Sequence, residues 1–332
     1  RAVQRHGALV VTAPSDGSSP PGGAARAERP AWHAAPWIGP ACAIVGTLGF
    51  SFKAILIKLA YSAASVDAIT LLALRMLYST PLFVAMAWWA GRDGAAIARR
   101  DTLAILGLGF LGYYLASLLD FMGLRHVTAS LERLVLYLYP TMVVLLSAAF
   151  LGKRITRRTV AALVLSYAGI ALVFRHDAAL GDPGSTLIGG GLVFASALCY
   201  AGYLVAAGGV IGRIGSMRFT ALAMLASTGF VLAHFALAKP LAALDVPASI
   251  HGLSLAMAVF STVLPTWLVA EAIGRLGASR TSLVGSLGPV FTIALGAAIL
   301  GEALAPVQLA GAALVLAGVA LVSARPRAAA PR

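Results

Sequence analysis

The sequence predicts an all-α membrane protein of about ten transmembrane helices, built as two inverted five-helix repeats. Three observations predict it. Long apolar runs alternate with short polar links, the basic residues collect in every second link, and the second half of the chain repeats the first at a constant offset.

The apolar runs come first because they fix the solvent. Of the 332 residues, 60% are hydrophobic and only 11% charged. A water-soluble fold of this length needs more polar surface than that to cover its core, whereas a lipid solvent removes the requirement. The net charge of +13 invites a nucleic-acid reading. However, the basic residues sit in short clusters between apolar spans with no interleaved aromatic patch, so no nucleic-acid partner is expected. Cys42 and Cys199 lie inside apolar spans without metal-ligand spacing and read as small buried hydrophobes. No metal or cofactor is expected.

Residues 1–36 form a different material. The run Thr12-Ala-Pro-Ser-Asp-Gly-Ser-Ser-Pro-Pro-Gly-Gly cannot bury enough apolar area to fold, and 1–36 is read as a disordered tail. The apolar piece 8–13 is too short for the core of a signal peptide.

A span needs about 20 apolar residues to cross about 30 Å of hydrocarbon. Reading between charge clusters gives 37–60, 67–89, 102–123, 127–150, 157–175, 186–208, 217–238, 250–272, 277–300 and 306–324. These runs are uniformly apolar, which predicts helices in place of an alternating barrel pattern.

The links then orient the chain. With the N-terminus inside, the inner links carry Arg92, Arg99 and Arg100, then Lys153, Arg154, Arg157 and Arg158. Next come Arg213 and Arg218, Arg275 and Arg280, and a basic tail at 325–332 with Arg325, Arg327 and Arg332. The outer links carry only Arg125, Arg175 and Lys239. The bias places both termini in the cytoplasm of a cell whose inner or plasma membrane holds the protein.

The repeat is the most specific signal. Residues 129–173 overlay 278–322 without a gap at an offset of 149 (278 − 129). Ala129-Ser130 matches Ala278-Ser279, Pro140 matches Pro289, Leu151-Gly152 matches Leu300-Gly301, and Gly169 matches Gly318. The same offset carries the first five spans (37–175) onto the last five (186–324). An odd number of spans per unit requires the second unit to enter from the opposite side. Matched links agree in charge: Gly152-Lys-Arg is basic where Gly301-Glu-Ala is acidic. Two such copies can exchange conformations around a site near mid-membrane.

The segments Leu276-Gly-Ala-Ser-Arg-Thr-Ser to Pro289, Leu300-Gly-Glu302, Gln308, Gly311 and Gly318-Val-Ala-Leu resemble the second EamA domain of the drug/metabolite transporter superfamily. Leu131-Glu-Arg-Leu and Tyr137-Leu-Tyr-Pro140 are similar to the first. The resemblance covers roughly residues 40–324 and implies export or exchange of metabolites, amino acids or drugs. It departs at Gly152-Lys153, where the family often has Gly-Glu.

Ionisable residues inside spans are expensive and default to function. The substrate-binding or coupling candidates are Lys53, Arg75, Asp120, Glu132 and Arg133, from four different spans of the first repeat. Lys53 and Arg75 lie deepest and best fit contact with a solute, while Glu132 also fits a structural partner of either. With Lys58, four basic residues face two acidic ones, which favours an anionic or zwitterionic solute. Lys58 is near enough to its span end to snorkel outward. Pro140 and Pro289 are helix-break candidates, because each lacks the N–H that the carbonyl of Leu136 or Gly285 would accept. Glu271 and Arg275, one turn apart, predict an ion pair. Glu302 reads as a cap for the final hairpin, and His234 as packed. The tyrosines at 113, 114, 137, 139, 200 and 203, with Trp267, are candidates to line a pathway.

These observations favour a secondary transporter for a small solute, with Glu132 or Asp120 as the proton-coupling group. A channel or a scaffold is the alternative, though no carbonyl-filter motif or charged ring supports a pore. An intramembrane enzyme lacks a catalytic His, Asp or metal set. The expected partners are the solute and the bilayer, and the sequence leaves a homodimer open.

Overall fold

The computed structural model describes residues 37–92, 96–152 and 154–323. The tail read at 1–36, the basic tail at 325–332 and Lys153 lie outside the described residues. Among the described residues, twelve helices of eight or more residues follow in chain order: α1 (Ile38–Ala63), α2 (Ala68–Gly91), α3 (Arg99–Gly123, with a π turn at Phe110–Leu115), α4 (Ala129–Leu136), α5 (Tyr139–Leu151) and α6 (Arg157–Leu180). Then come α7 (Pro183–Ile214), α8 (Ser216–Ala238), α9 (Ala248–Ala258, a π turn at Val259–Val263, then Leu264–Leu276), α10 (Ala278–Gly285), α11 (Gly288–Leu295, ending in a π turn at Gly296–Leu300) and α12 (Pro306–Ser323). No strand occurs among the described residues.

Nine helical stretches among the described residues are long and apolar enough to cross a membrane, with Ala129–Leu151 and Leu283–Leu300 each counted as one. The tenth expected span is present as a shorter apolar helix, Pro306–Leu321. Large apolar side chains point outward along the bundle, with Trp89 72% and Phe150 77% exposed. Water would penalise such a surface, whereas hydrocarbon accepts it.

Helix starts follow local chemistry. The side chains of Asp67, Thr128, Thr156 and Asp182 each accept from the backbone N–H three residues on, which satisfies one of the donors that a helix N-terminus leaves unpaired. Gly152 and Gly301 end the paired segments with φ of 63° and 70°, in a region that favours glycine.

Element boundaries recur at the sequence offset. The π turn at Phe110 is repeated at Val259, α4 at Ala129 by α10 at Ala278, α5 at Tyr139 by α11 at Gly288, and α6 at Arg157 by α12 at Pro306, each a step of 149 (259 − 110, for example). The packing is crossed. α1 lies against α9, α10 and α11 of the second half, while α7 lies against α3, α4 and α5 of the first; α2 packs on α8 and α6 on α12. The largest core cluster is accordingly shared between the halves: Ile55, Leu72, Met76 and Phe121 pack with Val231, Phe235, Ile250 and Met257.

Candidate functional site

The two prolines mark matched helix breaks in the two halves. Sequence reading expects each to disturb a helix from inside a span. In the structure the helix ends before the proline: Tyr137 and Leu138 separate α4 from α5, and Ser286 and Leu287 separate α10 from α11. Pro140 and Pro289 then sit in the first turn of the helix that follows. A proline is favourable there, since that N–H would be unpaired anyway.

The first half caps the break of the second. The Tyr137 hydroxyl donates to the Gly285 carbonyl, the acceptor that Pro289 was expected to free. The Ser51 hydroxyl lies 3.1 Å from the Gly288 carbonyl and 2.9 Å from the Thr47 carbonyl, which share its single proton. The Arg133 guanidinium lies over the Tyr137 ring at 5.7 Å and so close to Gly288 that a Cβ there would meet Nη2 at 2.8 Å.

Beside this break, three of the candidate charges converge from three helices. Lys53 of α1 places Nζ 2.6 Å from Asp120 Oδ2 of α3 and 3.3 Å from Glu132 Oε1 of α4. Both acids are buried, Glu132 completely, while the Lys53 side chain is 20% exposed. One ammonium therefore faces two carboxylates. Asp120 Oδ1 and both Glu132 oxygens accept no hydrogen bond among the described residues. Burying an ion without full compensation costs several kcal/mol, so an arrangement left short of one positive charge is suited to taking up a proton or a cationic group.

Arg75 stays outside that triad. It is 5% exposed, lies over the Phe121 ring at 5.2 Å, contacts Met76 Sδ at 3.8 Å, and has no carboxylate within 4.0 Å among the described residues. The alternative of an Arg75–Glu132 pair is thus resolved in favour of Lys53. Arg75 and Arg133 each keep a buried Nε without a hydrogen-bond partner.

Several of the tyrosines do gather. Tyr137, Tyr139, Tyr200 and Tyr203 follow one another at ring separations of 6.2, 5.4 and 5.6 Å, and the Tyr113 and Tyr203 hydroxyls are 3.0 Å apart. Tyr114 instead pairs with His234 at 2.9 Å, and Trp267 is half exposed. Glu271 and Arg275 form the expected ion pair at 2.6 Å.

Lys58 sends its Nζ to the link after α3, beyond the apolar span, and donates to the carbonyls of Val127 (2.9 Å) and Leu124 (3.4 Å). Those carbonyls lie at a helix end and in the following turn, where they lack helical donors. Glu302 does not serve the final hairpin; it reaches across to α4 and accepts from the N–H of Ala129 and the hydroxyl of Ser130, each at 2.7 Å. A carboxylate is favourable at a helix N-terminus, and the one that Glu302 reaches is that of α4. Sequence reading also missed Asp177, which accepts from the Thr128 hydroxyl at 2.6 Å. Its place just past the end of a span does not set it apart from a surface acid.

The chain has counterparts among known proteins. The EamA-like transporter family model matches residues 37–175 and again 187–324. An uncharacterized transporter of Bacillus subtilis (strain 168), YcbK, is 33% identical over 282 residues, covering 81% of this chain and 87% of its own. A probable terminal-alkyne amino-acid exporter of Streptantibioticus cattleyicolor is 29% identical over 253 residues, covering 73% and 80%. A solved crystal structure superposes with a TM-score of 0.60 at 19% identity, over 87% of this chain and 98% of its own, which is a likeness of fold alone. The chain belongs to the EamA-like transporter family.

Proposed function

We propose that the protein is a secondary transporter, working as an exporter or exchanger of a small zwitterionic solute of amino-acid type. It sits in the inner membrane with both termini cytoplasmic and alternates access between two inverted five-helix halves, 37–175 and 186–324, ten spans in all. The observation that carries the reading is the shared ammonium: Lys53 lies between Asp120 and Glu132, beside the broken backbone at Gly285 and Gly288.

The chemistry follows from the charge count. A solute ammonium can take the place of Lys53 on one carboxylate, and a solute carboxylate can take the unpartnered Arg133 or Arg75 donors. Glu132 supplies the coupling, because a fully buried carboxyl exchanges its proton for a positive solute group at little net change in buried charge. Step by step, a proton enters on Glu132, the solute leaves, and the halves exchange roles. The relative named as an amino-acid exporter supports the solute class.

Purified protein in liposomes is expected to give saturable counterflow of labelled amino acids that responds to an imposed pH gradient. Glu132→Gln should keep exchange while losing the response to the gradient. A pH response unchanged in Glu132→Gln removes the coupling role. Non-saturable flux with single-channel conductance steps replaces the transporter with a channel.

A further inference from the structure

The first turn of α4 is held more tightly than its length requires, and part of the hold comes from the other half. All of its early N–H groups are occupied. Ala129 N–H donates to Glu302 Oε1 at 2.7 Å and Ser130 N–H to Oε2 at 3.3 Å, while the Ser130 hydroxyl donates to Oε2 at 2.7 Å. Leu131 N–H goes to the Thr128 hydroxyl oxygen at 3.1 Å and Glu132 N–H to the Thr128 carbonyl at 3.0 Å. The Thr128 hydroxyl in turn donates to Asp177 Oδ2, and Gln308 approaches Asp177 Oδ1 at 3.4 Å. Glu302 thus adds one residue's reach from the second half to a cap built by Thr128 and Asp177.

The site is shaped for that carboxylate. Glu302 follows Gly301, whose φ of 70° turns the chain back, and its own N–H donates to the Gly296 carbonyl at 3.1 Å. A Cβ on Gly296 would lie 2.9 Å from Glu302 Oε2, so the glycine leaves the room the side chain needs. α4 itself has only eight residues and is separated from α5 by the break at Tyr137 and Leu138. A helix of two turns has little stiffness of its own in the absence of such partners. Glu132 is in the turn that Glu302 holds.

We propose that Glu302 is a positioning residue for the charged centre: it clasps the first turn of α4, holds Glu132 against Lys53, and must release before that end of the bundle opens. The proposal deepens the transporter reading and rests on it for the coupling role of Glu132. The register makes the clasp one-sided. The position matched to Glu302 is Lys153 (302 − 149), outside the described residues, and an ammonium cannot accept from an N–H.

The test uses the full chain in nanodiscs, where both faces are accessible, in a Cys42→Ala, Cys199→Ala background carrying Ala129→Cys. Ala129 is fully buried inside the clasp. The rate of labelling by a membrane-impermeant maleimide is expected to rise about tenfold on adding Glu302→Ala, the scale set by losing charge-assisted hydrogen bonds to a helix end. Glu302→Gln, which keeps shape and one acceptor oxygen, should fall between, and it reads the effect even if the alanine variant fails to fold. Equal labelling rates with Glu302 and with Glu302→Gln overturn the clasp. The second readout is the pH profile of counterflow, which Glu302→Gln should displace toward that of Glu132→Gln; an unmoved profile with faster labelling overturns the positioning of Glu132. Should Glu132→Gln itself keep the parent's pH profile, the coupling reading fails, and the labelling rates still decide the clasp.

Discussion

Replacing Lys53 with methionine is expected to abolish transport and to remove most folded protein, the largest electrostatic effect in the molecule. Lys53 Nζ is the one cationic group within 4.0 Å of Asp120 and Glu132 among the described residues, and both acids are almost fully buried. Removing one partner of a buried pair leaves an uncompensated charge and costs about 3–5 kcal/mol. Here two carboxylates lose the same partner. The chain can respond by protonating them, which silences the centre, or by failing to fold. The two outcomes are separated by a triple variant, Lys53→Met with Asp120→Asn and Glu132→Gln, which removes the charges together. That variant should regain a folded, monodisperse protein by size-exclusion chromatography while showing no counterflow. Wild-type thermal midpoint and flux in Lys53→Met alone would show that the triad stores no such energy.

The division of labour between the halves follows from what each contributes to this centre. The first half supplies the ions: Lys53, Asp120, Glu132, Arg75 and Arg133 all precede residue 140. The second half supplies broken backbone at Gly285 to Gly288 and the carboxylate that holds α4 in place. α1, which carries Lys53, leans on α9, α10 and α11 of the second half. A change in how α1 sits on those helices therefore moves Lys53 relative to acids held by α3 and α4.

Much of this was legible because membrane chemistry makes charges expensive. Lys53, Asp120 and Glu132 stand out in apolar runs, and their convergence follows from the need of each to find a partner. Pro140 and Pro289 were legible because a missing N–H is a local property, although the exact form, a stopped helix and not a kink, depended on what lay beside it. The Tyr137 hydroxyl that takes the Gly285 carbonyl could not be read, since it is 148 residues away in the chain. Glu302 was misread and Asp177 passed over because both sit at span ends, where an acid costs little; packing between the halves brings Glu302 to α4, and packing of α6 within the first half brings Asp177. The π turns at Phe110–Leu115 and Val259–Val263 left no mark in composition, yet they fall at matched positions in the two halves. Lys58 was drawn toward backbone carbonyls that exist only once the link after α3 has its turn.

Replacing Gly311 with valine is expected to be the most damaging change that touches no charge. In lipid, apolar surface gives no drive for helices to associate, so contacts depend on close backbone approach by small residues. α6 and α12 make that approach twice. A Cβ on Gly169 would lie 2.6 Å from the Gly311 carbonyl and one on Gly311 2.7 Å from the Gly169 carbonyl; a Cβ on Gly318 would lie 2.6 Å from the carbonyl of Ala162. The two contacts are images of each other under the repeat, since the offset carries Ala162 to Gly311 and Gly169 to Gly318. The Val173 side chain also stands against a Cβ at Gly311 and Ser166 against one at Gly318, but the carbonyls are backbone and cannot rotate away as a side chain can. Valine at 311 must therefore push the two helices apart along their length, a cost of about 3 kcal/mol at the upper end for overpacked sites. Gly191 of α7 provides the comparison, because nothing lies within 4 Å of a Cβ built there. Thermal unfolding in detergent should place Gly311→Val well below the parent and Gly191→Ala beside it. Equal midpoints for the two variants would mean that α6 and α12 are not held by this contact, and that the pairing comes from elsewhere in the bundle.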